Sequence, residues 1–279
     1  MPNAFGGNYP IETRRGEIER LDMQGDAFAP DARAMLDRIG VGAGWQCLDV
    51  GCGPRGITDL LSEYVGPTGR VLGIDKNEQF LAHGRAGAPA NVEFRRGDAY
   101  DSGLPADAFD LVHMRFVAST AGNPEALLRE AVRLARPGGV VALQEPDAET
   151  LDCYPPHPAW DRLKRAMLDA FAGVGADVRL ARRLHTLMAQ AGLDDIRYRP
   201  LLLGLRPVDP MVDHLPATVE SLRGTIVKLG LLPEAEMAGL IEQCRTHLRD
   251  PGTVVRSFMV AQVWGRKKPS SPAARGERR

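Results

Sequence analysis

The chain has 279 residues, of which 44% are apolar, 25% charged and 6% aromatic, as in an ordinary globular protein with a buried core. This composition excludes a disordered chain, a fibrous repeat and a disulfide-stapled miniprotein, and no apolar run approaches the ~20 residues of a transmembrane helix. The net charge is −1, but the basic last 15 residues leave about −6 on residues 1–264. A surface that binds nucleic acid usually has the opposite sign, so we expect neither a nucleic-acid nor a membrane partner.

The N-terminus and the cysteines indicate the compartment. No apolar stretch follows a basic one at the N-terminus, so a signal peptide is not expected. Four cysteines stand far apart without a CxxC pair. We interpret them as reduced thiols of a cytoplasmic protein and predict no metal site.

From Trp45 onward the sequence alternates between strand-like and helix-like segments. The predicted strands are WQCLDV, RVLGID, NVEFRRGD, DAFDLVHMRFV and VVALQEPD. The predicted helices between them are ITDLLSEYV, NEQFLAHGRAG with Asn77 as N-cap, and NPEALLREAVRLA, which RPGG ends. Nearly all-apolar strands separated by helices indicate a parallel sheet covered on both faces.

After Asp147 the pattern is less regular. TLDCYPPHP contains three prolines and predicts a loop. Two helices (WDRLKRAMLDAFAGV and VRLARRLHTLMAQAG), a strand (IRYRPLLLGL), two helices within 208–249 and a closing strand (TVVRSFMVAQVWG) follow. We expect one α/β unit whose outer segments fold over its ligand-binding edge.

A glycine-rich turn follows the first predicted strand. Gly51, Gly53 and Gly56 have the spacing G-x-G-x-x-G, and Asp75 ends the second strand. In open parallel sheets, ligands bind at the carboxyl ends of the strands, where glycines let the backbone approach the ligand and an acid accepts hydrogen bonds from a ribose. These features alone fit any nucleoside-bearing cofactor.

Asp49 discriminates between the possible cofactors. It lies two residues before the first glycine, where it would repel the pyrophosphate of a dinucleotide but attract the ammonium and sulfonium groups of S-adenosylmethionine. Asp49 therefore favours S-adenosylmethionine over NAD, although a strand-end aspartate can also cap the amides of its own turn. Asp98-Ala99, after the third strand, is suited to an adenine, but the same sequence is common in turns.

Four motifs in this order and spacing carry a resemblance to a known family. They are LDVGCGPRG, VLGID, GDAYDSGLPADAFDLVHMRF and LREAVRLARPGGVVALQEPD. Over residues 41–147 the chain resembles the class I S-adenosylmethionine-dependent methyltransferases, and it is most similar to the branch that acts on small molecules in secondary metabolism. The resemblance implies a Rossmann-like, doubly wound α/β fold. Its seven-stranded, mainly parallel sheet would have an antiparallel last strand and carry helical lid segments.

The resemblance also implies which residues bind the cofactor. They are Asp49, Gly51, Gly53 and Arg115 for the methionine part, Asp75 and Lys76 for the ribose, Asp98 and Ala99 for the adenine, and Tyr9 and Gln24 in a covering N-terminal helix. We divide the chain accordingly into a helical cap (1–40), a cofactor-binding core (41–147), the rest of the sheet with lid insertions (148–264) and a disordered basic tail (265–279).

Methyl transfer from a sulfonium needs alignment more than a dedicated catalytic group, since proximity supplies much of the rate. Relatives often have a histidine after the fourth strand, but this loop contains no titratable side chain. Glu145, at the end of the fifth strand, is our first candidate base, with hydrogen bonding to loop amides as the alternative. His157, on the following loop, is the second candidate, whereas His113 is expected to be a buried core residue.

The acceptor is less constrained by the sequence. Apolar residues in 147–178 and 205–252 could line a pocket for a bulky, apolar or aromatic metabolite, or could be the buried faces of lid helices. We select Tyr154, Trp160 and His214 as candidate substrate-binding residues. O-, N- and C-methylation all remain open, and a homodimer is possible.

Two other functions are compatible with the same residues. The chain could bind S-adenosylmethionine without transferring its methyl group, as a cyclase-like or binding protein would. It could also be a nicotinamide-dependent oxidoreductase on a related fold, although Asp49 argues against that cofactor.

Overall fold

The computed structural model describes residues 16–269. The strands are β1 (Gln46–Val50), β2 (Arg70–Asp75), β3 (Val92–Arg96), β4 (Phe109–Arg115), β5 (Ala135–Asp147), β6 (Asp152–Tyr154), β7 (Leu193–Leu201), β8 (Gly204–Leu205), β9 (Val254–Arg256) and β10 (Met259–Lys267). The helices are α1 (Glu17–Ile39), α2 (Thr58–Val65), α3 (Glu78–Arg85), α4 (Ala118–Ala121), α5 (Pro124–Leu134), α6 (Pro158–Gly173), α7 (Leu184–Gln190), α8 (His214–Ser221), α9 (Arg223–Lys228) and α10 (Glu234–Leu248). Within the described residues, no helix is both long and apolar enough to cross a bilayer.

Seven strands form the main sheet in the order β3-β2-β1-β4-β5-β10-β7. Strands β1 to β5 pair in parallel, and β10 is antiparallel to both of its neighbours. The predicted seven-stranded sheet with an antiparallel last strand is therefore confirmed. Its strand order reverses at β1, so a crevice opens at the carboxyl ends of β1 and β4, where ligands of such sheets bind.

Alternate residues of the central strands enter two separate buried clusters. Leu48 and Val112 pack with α5 and α7, whereas Cys47 and Leu111 pack with α1 and α2. This alternation follows from the two-residue repeat of a strand whose two faces are both covered by helices. Asn77 caps α3 by accepting hydrogen bonds from two backbone N–H groups, as predicted.

A third buried cluster lies beyond the main sheet, and we call it the lid cluster because the predicted lid segments form it. Helices α6, α8, α9 and α10 pack around it, together with a small sheet in the order β6-β9-β8. The prediction of a loop at TLDCYPPHP was wrong in part, because β6 lies within it. The predicted closing strand is two strands, since Ser257 turns aside to bond Leu203 through its backbone N–H and its hydroxyl.

Three other boundaries differ from prediction. The helix predicted from Pro210 divides at Leu222 into α8 and α9. RPGG lies inside β5 as an irregular start, with Gly138 at φ +77°. The tail predicted from residue 265 starts inside β10, which continues to Lys267, whose ammonium bonds Asp107 and the Ala135 carbonyl. Residues 270–279 of that prediction lie outside the described residues.

Candidate functional site

A cavity of about 740 Å³ lies at the carboxyl ends of β1, β2 and β4, below α1. Gln24, on α1, lines it as predicted for a covering helix and is 8% exposed. Tyr9 was also predicted there but lies outside the described residues.

The glycine-rich turn forms the floor of this cavity. Gly51 and Gly56 have φ values of +65° and +57°, which side chains disfavour. A Cβ at Gly51 would lie 2.4 Å from Val117, and one at Gly56 would lie 2.2 Å from the Asp49 carboxylate. Gly53, also lining the cavity, donates its N–H to Asp75 Oδ2 over 2.9 Å. Gly53 has a φ of +59°, so the backbone favours glycine at all three positions of the turn, and Asp75 braces the turn at Gly53.

Asp49 and Asp75 present carboxylates from adjacent strands. Asp75 Oδ1 accepts a hydrogen bond from the Asn77 N–H over 2.8 Å, and burial raises the pKa of Asp75 while these N–H donors oppose the rise. Asp49 is 2% exposed; its Oδ2 accepts from the Ile57 N–H and its Oδ1 bonds His113. Asp49 thus caps its turn, the alternative reading of the sequence, and also lines the cavity.

Arg115 is a partly buried cation of the cavity. Its Nη2 donates to the Gly56 carbonyl over 3.1 Å, whereas its buried Nη1 has no hydrogen-bond partner. Burial lowers the pKa of Arg115, and Asp49 and Asp26 oppose that shift. A buried donor without a partner costs free energy. A ligand with an anionic group, such as the carboxylate of methionine, could accept a hydrogen bond from Arg115 Nη1 and remove that cost.

The charges around the cavity favour a cationic ligand. The charged lining residues are the acids Asp22, Asp26, Asp49, Asp59 and Asp75 and the cations Arg55, Lys76 and Arg115. Arg55 is paired with Asp59 at 2.8 Å. The excess of carboxylates would repel a pyrophosphate and attract a sulfonium, in agreement with the sequence argument from Asp49.

Of the two residues predicted to bind adenine, only Ala99 lines the cavity. Ala99 lines the cavity beside Tyr100. Asp98 does not line it: the side chain is about half exposed, lies 3.2 Å from the Lys76 ammonium, and accepts from the Tyr100 N–H. Asp98 thus forms an ion pair with Lys76 at the rim, and its contact with adenine stays a prediction.

A second, smaller chamber of about 70 Å³ adjoins the cavity. The two share Gln24, Phe116 and Thr120 as lining residues. Most of the remaining chamber wall is apolar and comes from β5 and the turn after it, from α6 and from the segment between β9 and β10. It consists of Arg20, Ser119, Pro146, Ala148, Met167, Phe171, Val178, His214, Thr218 and Phe258.

His214, one of the three predicted substrate-binding residues, lines this chamber. Its Nε2 lies 3.4 Å from the Thr218 hydroxyl, its ring contacts Phe258 at 5.2 Å between centroids, and its buried Nδ1 has no hydrogen-bond partner. Burial, with a contribution from Arg20, lowers the pKa of His214 to about 3. The imidazole is therefore neutral at pH 7 and has a nitrogen free for a ligand.

Glu145 does not reach either space, and its predicted role as a base is corrected. Its carboxylate is fully buried and accepts hydrogen bonds from the N–H groups of Val117, Ala118 and Ser119 at 2.9–3.1 Å. Burial raises the pKa of Glu145 to about 7, although these donors favour the charged form. The side chain anchors the loop after β4, as in the alternative interpretation from the sequence.

Three further predicted residues lie away from the chamber. His157 caps α6 through Nδ1, which accepts from the Ala159 N–H, and its ring stacks on His247. Tyr154 is 69% exposed, and Trp160 is 1% exposed within the lid cluster. Their predicted roles in catalysis and substrate binding are corrected, because a helix cap, an exposed strand residue and a core residue line neither space.

The sequence reasoning missed Phe116, which borders both spaces. Its φ is +59°, an unusual value for an aromatic residue, and its ring packs edge-on against Phe28 and Phe258. The apolar segment DLVHMRFV predicts the end of a strand, but nothing in the local sequence predicts the positive φ of Phe116.

The comparisons with known proteins agree with this geometry. A family model described as "Methyltransferase domain" matches residues 48–143. A ubiquinone/menaquinone biosynthesis C-methyltransferase of Pseudomonas fluorescens is 29% identical over 227 residues, covering 74% of this chain and 89% of that protein. A demethylmenaquinone methyltransferase of Staphylococcus aureus is 36% identical over 124 residues, covering 44% of this chain and 51% of that enzyme. The matches thus span about half the length of several curated relatives.

A solved structure supports the fold. A putative methyltransferase from Bacillus halodurans superimposes with a TM-score of 0.56 at 19% identity, over 85% of this chain and 99% of that one. Together with the glycine-rich turn, the strand-end carboxylates and the sheet order, these matches identify residues 48–143 as a methyltransferase domain of the class I S-adenosylmethionine-dependent type, with S-adenosylmethionine as its cofactor.

Proposed function

We propose that the chain transfers a methyl group from S-adenosylmethionine to a small, uncharged metabolite that carries an aromatic ring. The observation that carries the proposal is the contact, at Phe116, between an acidic cavity suited to a cationic cofactor and an aromatic chamber. An uncharged, apolar ring is the acceptor that such a wall favours, since Arg20 in the wall is already paired with Glu17 and burying an unpaired charge there would be costly.

The cavity's residues have distinct tasks in holding the cofactor. Asp75 would bind the ribose, and Ala99 and Tyr100 would lie against the adenine. Asp49 and Arg115 would bind the charged ends of the methionine part. The cofactor supplies a methyl group on a sulfonium that is already activated for displacement. What remains for the protein is to align the acceptor, to exclude water and to control a proton.

His214 is our candidate for the polar contact with the acceptor. Its free Nδ1 lies among the apolar lining residues, where it can bond a hydroxyl or carbonyl group of the ring. With a pKa of about 3, it orients the acceptor as a neutral hydrogen-bonding group and does not store a proton at pH 7. Quinol-type rings are one class to test, because the name of one relative refers to ubiquinone/menaquinone biosynthesis and that of another to demethylmenaquinone.

The proposal is tested with S-adenosylmethionine that carries a deuterated methyl group. The protein is incubated with matched pairs of acceptors: neutral hydroquinones and phenols against benzoates and benzylamines of similar size, which are charged at pH 7. Mass spectrometry should detect the heavy methyl on neutral rings, together with S-adenosylhomocysteine, and fragmentation gives the acceptor atom. Methylation of only the charged acceptors, or cofactor binding without S-adenosylhomocysteine from any of them, would overturn the proposal; the second result would favour a non-transferring binding protein.

A further inference from the structure

A row of hydrogen-bonded side chains crosses the sheet beneath α1. It runs from β7 through β10, β5 and β4 to β1, five strands that are neighbours in the sheet. Its members are Arg199, Gln262, Gln144, His113 and Asp49, at successive distances of 2.7, 2.9, 3.0 and 2.7 Å. The last four are at most 2% exposed, and Asp49 lines the cofactor cavity.

Arg199, at the outer end of the row, determines which group donates and which accepts in every hydrogen bond of the row. A guanidinium can only donate, so Gln262 must turn its carbonyl oxygen toward Arg199. The Gln262 amide nitrogen then donates twice, to the Asp31 backbone carbonyl over 3.0 Å and to Gln144 Oε1 over 2.9 Å. Asp31 also binds Arg199 through its carboxylate over 2.7 Å. Gln262 is thus fixed from two sides.

The fixed amide determines the state of the histidine. Because Gln144 accepts from Gln262 through Oε1, it presents its amide nitrogen to His113 Nε2 at 3.0 Å. That ring nitrogen must be an acceptor, so the proton of the neutral ring resides on Nδ1, 2.7 Å from Asp49 Oδ1. Every donor in the row points toward Asp49, which accepts as a carboxylate.

We infer that Gln262 and Gln144 are positioning residues: they hold His113 as a neutral donor and thereby fix an oriented, negatively charged Asp49 for the cationic end of the cofactor. Arg199 and Asp31 act one step further out by fixing Gln262. Asp49 is thus held by a side-chain network that starts four strands away. The inference depends on cofactor binding and not on the identity of the acceptor.

The test replaces one amide by an isosteric carboxylate. In Gln144→Glu, the new side chain accepts from Gln262 and can only accept from His113, which must then carry protons on both nitrogens. In Gln262→Glu, Gln144 must turn over and again requires a proton on His113 Nε2. Gln190→Glu, on an exposed face of α7, adds the same charge without touching the row and is the matched control.

Two measurements decide the outcome. Nitrogen NMR of histidine-labelled protein should show His113 with a protonated Nδ1 and a bare Nε2 in the wild type, and a protonated Nε2 in both row variants. Calorimetric titration should show S-adenosylmethionine and S-adenosylhomocysteine binding about tenfold more weakly to each row variant, because a positively charged His113 beside Asp49 offsets the attraction of that carboxylate for the cationic end of the ligand. Binding to the control should be normal.

The two readouts separate this inference from the proposed function. The nitrogen signals report the hydrogen-bond direction without cofactor or acceptor, so they stand whatever the chain methylates. A bare Nδ1 in the wild type would overturn the inference. Unchanged dissociation constants in either folded row variant would overturn it as well, even with altered nitrogen signals, because His113 would then not act on cofactor binding. If one row variant fails to fold, the other decides.

Discussion

Asp75, in the cofactor cavity, is braced by backbone N–H groups from the turns after β1 and β2, whereas His214, in the acceptor chamber, is placed by the packing of side chains. Asp75 accepts from the N–H groups of Gly53 and Asn77. His214, in contrast, is held by Thr218 on its own helix and by Phe258. A site built from local backbone can be recognised in a sequence, whereas one built from packed side chains cannot.

The largest effect should come from removing the brace of the cofactor cavity. We expect Asp75→Ala to weaken S-adenosylmethionine binding on the order of 100-fold, because it deletes a carboxylate placed for two hydrogen bonds to the ribose, each worth about 1.5–3 kcal/mol. Calorimetry measures this, with Asp194→Ala on the exposed edge as control. Equal dissociation constants for Asp75→Ala and the wild type would remove Asp75 from the cofactor site.

The second prediction concerns Glu145, which joins the two regions at the loop after β4. Its folded pKa of about 7 lies above the ordinary value near 4.3. The folded state therefore binds more protons than the unfolded state between these values, and this group's contribution to stability is lost as pH rises toward 7. Between pH 4.5 and 7, we expect this group to lower the free energy of unfolding of the wild type by on the order of 3 kcal/mol. Glu145→Gln should not show that decrease.

The contribution of His214 to stability should change with pH in the opposite direction over part of that range. Its folded pKa of about 3 lies below the ordinary value near 6.5, so stability falls as pH drops below 6.5. Denaturant unfolding of the wild type and Glu145→Gln at several pH values measures the difference. Parallel pH profiles for the two proteins would show that Glu145 keeps an ordinary pKa despite its burial.

The third prediction separates the chamber from the cavity. His214→Phe keeps an aromatic ring but loses the hydrogen bond to the acceptor, so we expect KM for the acceptor to rise about tenfold while the cofactor's Kd stays unchanged. His185→Phe, at an exposed position of α7, is the control. An unchanged KM for His214→Phe would show that the polar contact lies elsewhere.

The smallest effect is expected at His157. As the N-cap of α6, it should contribute about 1 kcal/mol to stability, so His157→Ala should lower the free energy of unfolding by that amount and leave KM and kcat unchanged. His157→Asn, which restores a good cap, should recover the loss. A changed kcat in both variants would return His157 to the catalytic candidates.

The sequence predicted the cavity well because its signals are local. Gly51, Gly53 and Asp75 follow apolar strands at fixed spacings, and their places at the sheet edge follow from strand order alone. Asn77 is likewise recognised as a cap from its position before a helical pattern. In each case the partner is a backbone group within the same turn or the next strand.

The chamber was not predictable in the same way. Phe116 borders it only because its backbone takes a positive φ, and Glu145 is turned from it by three N–H groups of a loop 26–28 residues away. Ser257 ends β9 because of a contact with Leu203. Each depends on residues distant in sequence, so tertiary packing overrides the local pattern.

The central claim, that the two regions serve two ligands, is tested most directly by hydrogen–deuterium exchange with and without S-adenosylhomocysteine. The account predicts protection at the glycine-rich turn, at residues 75–77 and 115–118 and along the cavity side of α1, with no change in β6, β8 and β9. Protection confined to residues 148–258, or none at saturating ligand, would contradict it.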